Sequence, residues 1–183
     1  MNRIALVYGS LSGLAIIGTA VLGMSLGGAS DMESTKWLGY LVMIVALSLV
    51  FVGVKQYRDR ELGGVIRFGS ALKVGLAIVL VASVVYVAVW EVYLAATDYA
   101  FIDVYAESVL EQRAEAGATP AEVEAAREEM AAMVARYDRM PSRLFLTFLE
   151  IFPVGVAVAL VSAAVLRRPE VLPADEPAWA EVS

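Results

Sequence analysis

The chain has 183 residues, 60% of them hydrophobic, and a formal net charge of −6. A mean hydropathy of +0.70 is too high for a water-soluble domain unless the apolar residues are gathered into membrane spans. With no cysteine and no histidine, the chain lacks disulfides, thiolate metal ligands and the commonest general base near neutral pH. We therefore expect no enzyme, no catalytic residues, no cofactor and no metal site.

Four apolar blocks follow one another along the chain. At ~1.5 Å per residue, each is long enough to cross a bilayer core of ~30 Å. The predicted spans are residues 4–26, 37–54, 71–96 and 144–166. The apolar run of the first block exceeds the ~7 to 15 residues typical of a signal peptide, so we interpret it as an uncleaved span. The predicted fold is all-α, an integral membrane four-helix bundle over residues 1–168.

Small residues recur along the first block, among them Gly9, Gly13 and Gly23. Their spacing places several of them on one helix face, where a neighbouring backbone can approach closely. We predict a helix-packing seam along this face. A ligand groove lined by glycine backbone is the alternative.

Basic residues are concentrated on one side of the predicted spans. They are Arg3 before the first block, Lys55, Arg58, Arg60 and Arg67 between the second and third, and Arg167 and Arg168 after the fourth. By the positive-inside rule, both termini are expected in the cytoplasm. Contact with anionic lipid headgroups explains the basic loop of Lys55, Arg58, Arg60 and Arg67 without a further partner.

The segment of about 98–141 lies between the third and fourth blocks and is predicted to form an extracytoplasmic helical hairpin. Thr119 to Glu122 matches the capping-box pattern, with Pro120 at the first helical position. Gly117 is expected to end an earlier helix that continues from the third block through Phe101. The segment is acidic, as a solvated surface would be; docking of a basic partner is the alternative.

Residues 169–183 contain three prolines and four acidic residues after Arg168. This composition predicts a disordered acidic cytoplasmic tail. Because the negative charge lies in the tail and the outer segment, it is no sign of a nucleic-acid partner.

Two acidic residues lie inside predicted spans. Glu91, beside Trp90, is about five residues or ~7.5 Å from the outer end of its block, and Glu150 is about six residues or ~9 Å from the same surface. An ionised group in a span costs about 2.5 to 3.5 kcal/mol at the bilayer centre and normally faces the bundle interior or water. The matching depth predicts a carboxylate pair that shares a proton or binds a cation.

Pro153 supports this site, because proline has no N–H for the carbonyl four residues earlier and would free it beside Glu150. The alternative is purely structural. In that interpretation, Arg143 or Lys36 forms an ion pair with one of the acids, and Tyr40 or Tyr86 donates a hydrogen bond to a protonated acid.

Four stretches carry a resemblance to a known family: WLGYLVMIVALSLVFVGVKQYRD, GGVIRFGSALKVG, YVAVWE and EIFPVG. The first includes Lys55, Tyr57 and Arg58, and the last begins at Glu150. The chain resembles the bacterial family of small four-span membrane proteins named domain of unknown function forty-one ninety-nine over residues 1 to about 168. The resemblance implies a bacterial inner-membrane protein of unestablished activity.

The expected function is that of a non-enzymatic subunit or scaffold of a membrane assembly. Its partners would be the lipid bilayer and either further copies of itself or a larger membrane complex. The alternative is a small oligomeric transporter or exporter in which Glu91 and Glu150 couple transport to a proton or a cation.

Overall fold

The computed structural model of this chain describes residues 1–25 and 32–173, and side chains within 24–38 lie outside that description. The predictions for the Lys36 side chain and for the tail from residue 174 therefore fall outside the described residues. Within the described ranges all regular secondary structure is α-helical. The helices are α1 Asn2–Ser25, α2 Met32–Glu61, α3 Phe68–Ala96, α4 Phe101–Glu115, α5 Pro120–Tyr137 and α6 Met140–Leu166.

Four of these helices are long and apolar enough to cross a membrane, which indicates a membrane protein of helical type. The spans are Asn2–Gly23 in α1, Gly39–Glu61 in α2, Phe68–Ala96 in α3 and Met140–Leu166 in α6. The predicted all-helical fold, with four helices long and apolar enough to span a membrane, is thus confirmed. α2 continues past the predicted end at Val54, and Lys55 and Asp59 form an ion pair one turn apart on this added part of the helix. It ends before Gly63 and Gly64, whose positive φ angles of 68° and 91° only glycine adopts freely.

The chain divides into two compact units. The first comprises Met1–Tyr86 and Glu150–Ser183, and the second comprises Val87–Leu149. In the first unit, α1 packs closely on α3. A methyl group built on Gly9 would lie 2.7 Å from the Ile78 carbonyl oxygen, and one on Gly13 would lie 2.6 Å from that of Ala82. Moving four residues along α1, from Gly9 to Gly13, moves the contact four residues along α3, from Ile78 to Ala82. α1 and α3 therefore run parallel.

α6 packs on α3 in the opposite direction within the first unit. A methyl group on Gly75 would meet Ala159 at 2.9 Å, and one on Gly155 would meet Val79 at 2.4 Å. The glycines therefore allow α3 and α6 to approach so closely that no larger side chain fits between them.

Of the three glycines in the predicted packing seam of α1, Gly9 and Gly13 lie against α3, whereas Gly23 has a different environment; the seam as a whole stays a prediction. Nothing lies within 4 Å of the position that a methyl group on Gly23 would take. The last buried side chains of α1 in the described residues are Ile16 and Ile17.

In the second unit, α3 ends at Ala96 rather than continuing into α4 as the sequence suggested. Asp98 and Tyr99 have φ angles of 51° and 57°, and two successive left-handed residues cannot belong to an α-helix. The Tyr99 N–H donates to the Leu94 carbonyl at 2.8 Å, which satisfies a terminal carbonyl of α3.

α4 and α5 contact one another inside the second unit, where Arg113 lies 4.0 Å from Glu129. Gly117, with φ of 84°, follows the end of α4 as predicted. The predicted capping box at the start of α5 is also present: Thr119 Oγ1 accepts from the Glu122 N–H, and the Glu122 carboxylate accepts from the Thr119 N–H. These local signals explain why α5 begins at Pro120.

Candidate functional site

The best-developed polar site of the second unit is an ion pair between α3 and α6. Arg143 Nε donates to Glu91 Oε1 at 2.7 Å, and a terminal guanidinium nitrogen donates to Oε2 at 3.0 Å. The side chains are only 7% and 18% exposed. This two-bond geometry suits a guanidinium and a carboxylate, and it compensates the charge of Glu91 inside a candidate span.

Tyr137, at the end of α5, joins this pair to Trp90. The other terminal nitrogen of Arg143 donates to the Tyr137 carbonyl at 3.0 Å, and Trp90 Nε1 donates to the Tyr137 hydroxyl at 2.7 Å. Burial raises the pKa of the Tyr137 phenol, while the hydrogen bond from Trp90 opposes that shift. One network therefore holds the ends of three helices of the second unit.

The Arg143 guanidinium lies between two tyrosine rings. Its central carbon is 4.9 Å from the centre of the Tyr99 ring and 5.8 Å from that of Tyr137, within the range of cation–π attraction. Tyr99 itself is one of the two left-handed residues that follow α3. A cavity of about 320 Å³ adjoins the network and is lined by Tyr99, Ile102, Tyr137, Asp138 and Arg143.

Glu150 has a different environment, in the first unit. Its Oε2 accepts a hydrogen bond from the Tyr86 hydroxyl at 3.4 Å, which is long for an O–H donor. Among the described residues no lysine or arginine pairs with Glu150. Glu150 is exposed, and so is Pro153 on the next turn of α6. α6 runs through Pro153 without a break.

The two intramembrane acids thus have separate partners. Glu91 forms an ion pair with Arg143, and Glu150 accepts a hydrogen bond from Tyr86. Arg143 and Tyr86 are both among the partners that the structural alternative names. Tyr40 is 55% exposed. The proton or cation site shared by Glu91 and Glu150 stays a prediction.

The basic residues near the end of α2 are not equivalent. Arg60 and Arg67 are exposed and Lys55 is half-buried, so contact with lipid headgroups stays a prediction for these three. Arg58 differs from them because it is fully buried, and headgroup contact stays a prediction for it as well. Its guanidinium is occupied by Asp59 and by backbone carbonyls far along the chain.

Sequence reasoning missed the contributions of Tyr99, Tyr137 and Asp59. The one local signal for Asp59 was its position four residues after Lys55 and next to Arg58, a spacing at which opposite charges meet on a helix.

Comparison with curated proteins and with solved structures gave no match. A family model described as Protein of unknown function (DUF4199) matches residues 7–168. The matched range contains both intramembrane acids and all six helices except the first residues of α1. The chain therefore belongs to the DUF4199 family, as its resemblance predicted.

Proposed function

We propose that this chain is a non-enzymatic subunit or scaffold of a membrane assembly, and that the exposed face of α6 bearing Glu150 is its contact surface. The observation that carries the proposal is an exposed acid within an apolar span. A carboxyl group facing lipid is unfavourable, whereas one facing a protein neighbour finds a hydrogen-bond donor.

The residues around Glu150 form a continuous helix face in the first unit. Its exposed members recur every three or four positions: Glu150, Pro153, Ala157, Leu160, Val161 and Ala164. Ala157 and Ala164 are small, which allows another helix to approach closely. The long hydrogen bond from Tyr86 leaves Glu150 with acceptor capacity for a donor on the neighbour. We name these six residues the α6 face.

The ion pair of Glu91 favours this function over ion coupling by two acids. Arg143 holds both carboxylate oxygens of Glu91, so proton or cation binding there would have to displace a buried guanidinium. In the arrangement we propose, both termini lie in the cytoplasm of a bacterial inner membrane, and α4 and α5 form an extracytoplasmic hairpin. The distribution of basic residues supports this orientation.

Replacement of Glu150 tests the contact surface. We expect the native chain, after gentle extraction into nanodiscs, to show by native mass spectrometry a mass larger than one copy, and Glu150→Leu to shift it toward the single chain. Ser48→Leu is the matched control, because Ser48 is another exposed polar residue in a span. Recovery of the native chain only as a single copy would contradict the proposal.

Cysteine cross-linking identifies the occupant, since the chain has no cysteine of its own. A single Leu160→Cys on the α6 face should form a disulfide-linked dimer if the neighbour is a second copy. Leu80→Cys, half exposed on α3, is the control and should not. A larger native assembly with no Leu160→Cys dimer identifies a different membrane protein as the neighbour.

Proton-coupled transport by an oligomer is a second candidate, favoured by the absence of a cationic partner for Glu150 among the described residues. In this case Glu150→Gln, in proteoliposomes under an imposed pH gradient, should abolish proton flux reported by an internal pH-sensitive dye. Glu91→Gln should leave most of it, provided that the protein still folds. Equal flux in the native chain and Glu150→Gln would remove Glu150 from such a mechanism.

A further inference from the structure

The chain folds back after α6 to reach the end of α2. Residues 167–173 make short turns, in which the Arg168 N–H donates to the Val165 carbonyl and the Val171 N–H to the Arg168 carbonyl. We name residues 167–173 the strap. All of it belongs to the first unit, as does α2.

Arg58 is the centre of the contact between the strap and α2. One terminal guanidinium nitrogen donates to the Val171 carbonyl at 3.0 Å, and the other donates to the Leu172 carbonyl. Nε donates to Asp59 Oδ1 at 2.6 Å. Arg58 is completely inaccessible to solvent, although Arg60 and Glu61 at the same end of α2 are exposed.

The charges around Arg58 do not balance. Asp59 is shared, because Lys55 Nζ lies 2.6 Å from its other oxygen, so two cations have one carboxylate between them. The strap supplies neutral carbonyl oxygens in place of a second anion. A buried guanidinium without these acceptors would be strongly unfavourable, so it is the strap that allows Arg58 to stay out of water.

The strap itself is only weakly held. Leu172 has a φ of 50°, a left-handed conformation that is unfavourable for a residue with a side chain. Its residues are exposed except for the half-buried Val171. A segment with few buried contacts and one strained residue opens at a low free-energy cost.

We propose that residues 167–173 are a conformational strap, closed over Arg58 in this structure, whose opening exposes the guanidinium at the basic end of α2. The closed strap hides one positive charge, and the open strap adds it to those of Lys55 and Arg60. This device is independent of the α6 face.

Maleimide labelling of a single cysteine measures strap opening. The full chain carrying Val171→Cys is reacted in nanodiscs, and Arg58 is then varied in the same background. We expect Arg58→Gln to label about tenfold faster, corresponding to ~1.4 kcal/mol in the opening equilibrium. Arg58→Lys should lie in between, because an ammonium group cannot reach two carbonyls in a fixed fork. Arg60→Gln, next to the strap contact in sequence but exposed, should label at the native rate.

Asp59→Asn tests the same device without removing the guanidinium, and it keeps the test decisive if Arg58→Gln does not fold. It should accelerate labelling of the cysteine, and it should also increase modification of Arg58 by phenylglyoxal, read by mass spectrometry. An unchanged labelling rate in the folded Arg58 and Asp59 variants, or equal acceleration by Arg60→Gln, would overturn the proposal.

Discussion

Arg143 binds both carboxylate oxygens of Glu91, at 2.7 and 3.0 Å, and the two residues are 52 positions apart in the chain. A single charged Glu91 or Arg143 would be unfavourable in a span, and the ion pair compensates both charges. The rings of Tyr99 and Tyr137 flank the same guanidinium. The network explains how an ionisable residue inside α3 has a structural role.

Removal of Arg143 should be far more damaging than removal of the whole pair. We expect Arg143→Met to lower the free energy of unfolding by about 3 kcal/mol, because a buried carboxylate is left without its partner. The double variant Glu91→Gln with Arg143→Met should recover a substantial part of that loss. Reversible unfolding in detergent, followed by tryptophan fluorescence, measures both.

The control for this cycle is Arg127→Met. Arg127 pairs with Glu124 at 3.6 Å on the exposed surface of α5, where an ion pair contributes about 0 to 1 kcal/mol. Equal losses in the free energy of unfolding for Arg127→Met and Arg143→Met would show that the buried pair contributes no more to stability than the exposed one.

Tyr137 should make stability depend on alkaline pH. Its folded-state pKa is raised by burial, so its contribution is fully present below the unfolded pKa of about 10 and is lost as pH rises from there through the raised folded value. Tyr137→Phe leaves the Trp90 N–H without its acceptor and should cost about 1 to 3 kcal/mol at neutral pH.

The measurement is the difference in unfolding free energy between the native chain and Tyr137→Phe from pH 8 to 11. We expect this difference to shrink above about pH 10. Phe101→Leu is the control, since it removes a ring 4.9 Å from that of Trp90 but no titrating group, and its cost should not vary with pH. A constant difference for Tyr137→Phe would contradict the prediction.

Three glycines of α1 should respond differently to alanine. Gly9→Ala and Gly13→Ala force a methyl group against backbone oxygens of α3, and each should destabilise by about 1 to 3 kcal/mol. Gly23→Ala meets open space and should stabilise by about 0.5 to 1 kcal/mol through its better helix propensity. Thermal unfolding midpoints rank the three variants, and destabilisation by Gly23→Ala would show that the seam extends further along α1.

The capping box of α5 should be sensitive to acid. The hydrogen bonds that Thr119 donates to the Glu122 carboxylate lower its pKa. Its contribution is therefore present above the unfolded pKa of about 4.3 and is lost as pH falls through the lowered value. The protection factors of the amides in the first turn of α5, which are exchange rates corrected for the intrinsic rate at each pH, should fall below about pH 4 in the native chain but not in Glu122→Gln, whose neutral amide does not titrate there.

Thr119→Ala should raise exchange in the same turn at neutral pH, since loss of an N-cap side chain costs about 1 kcal/mol. The control is Ser108→Ala, which removes a hydroxyl from the interior of α4. Equal exchange in the native chain and Thr119→Ala would show that the helix start does not depend on its cap.

The sequence by itself determined the features that depend on neighbouring residues or on composition. Four apolar runs specify four spans because hydrocarbon requires a length of helix and tolerates few charges. Thr119 with Glu122, and the glycines at 63, 64 and 117, mark helix boundaries because caps and left-handed turns are satisfied within a few residues. The helix break at Asp98 and Tyr99 was not visible, because neither residue type requires a left-handed backbone.

Only the tertiary structure decided which polar groups meet. The depth of Glu91 and Glu150 was readable from the chain, but their partners depend on how each helix is rotated about its axis. A one-residue change of register turns a side chain by about 100°, and hydropathy does not specify that angle. Arg143 reaches Glu91 across 52 residues and Arg58 reaches Val171 across 113. Directional hydrogen bonds of this kind exist only once the helices have packed.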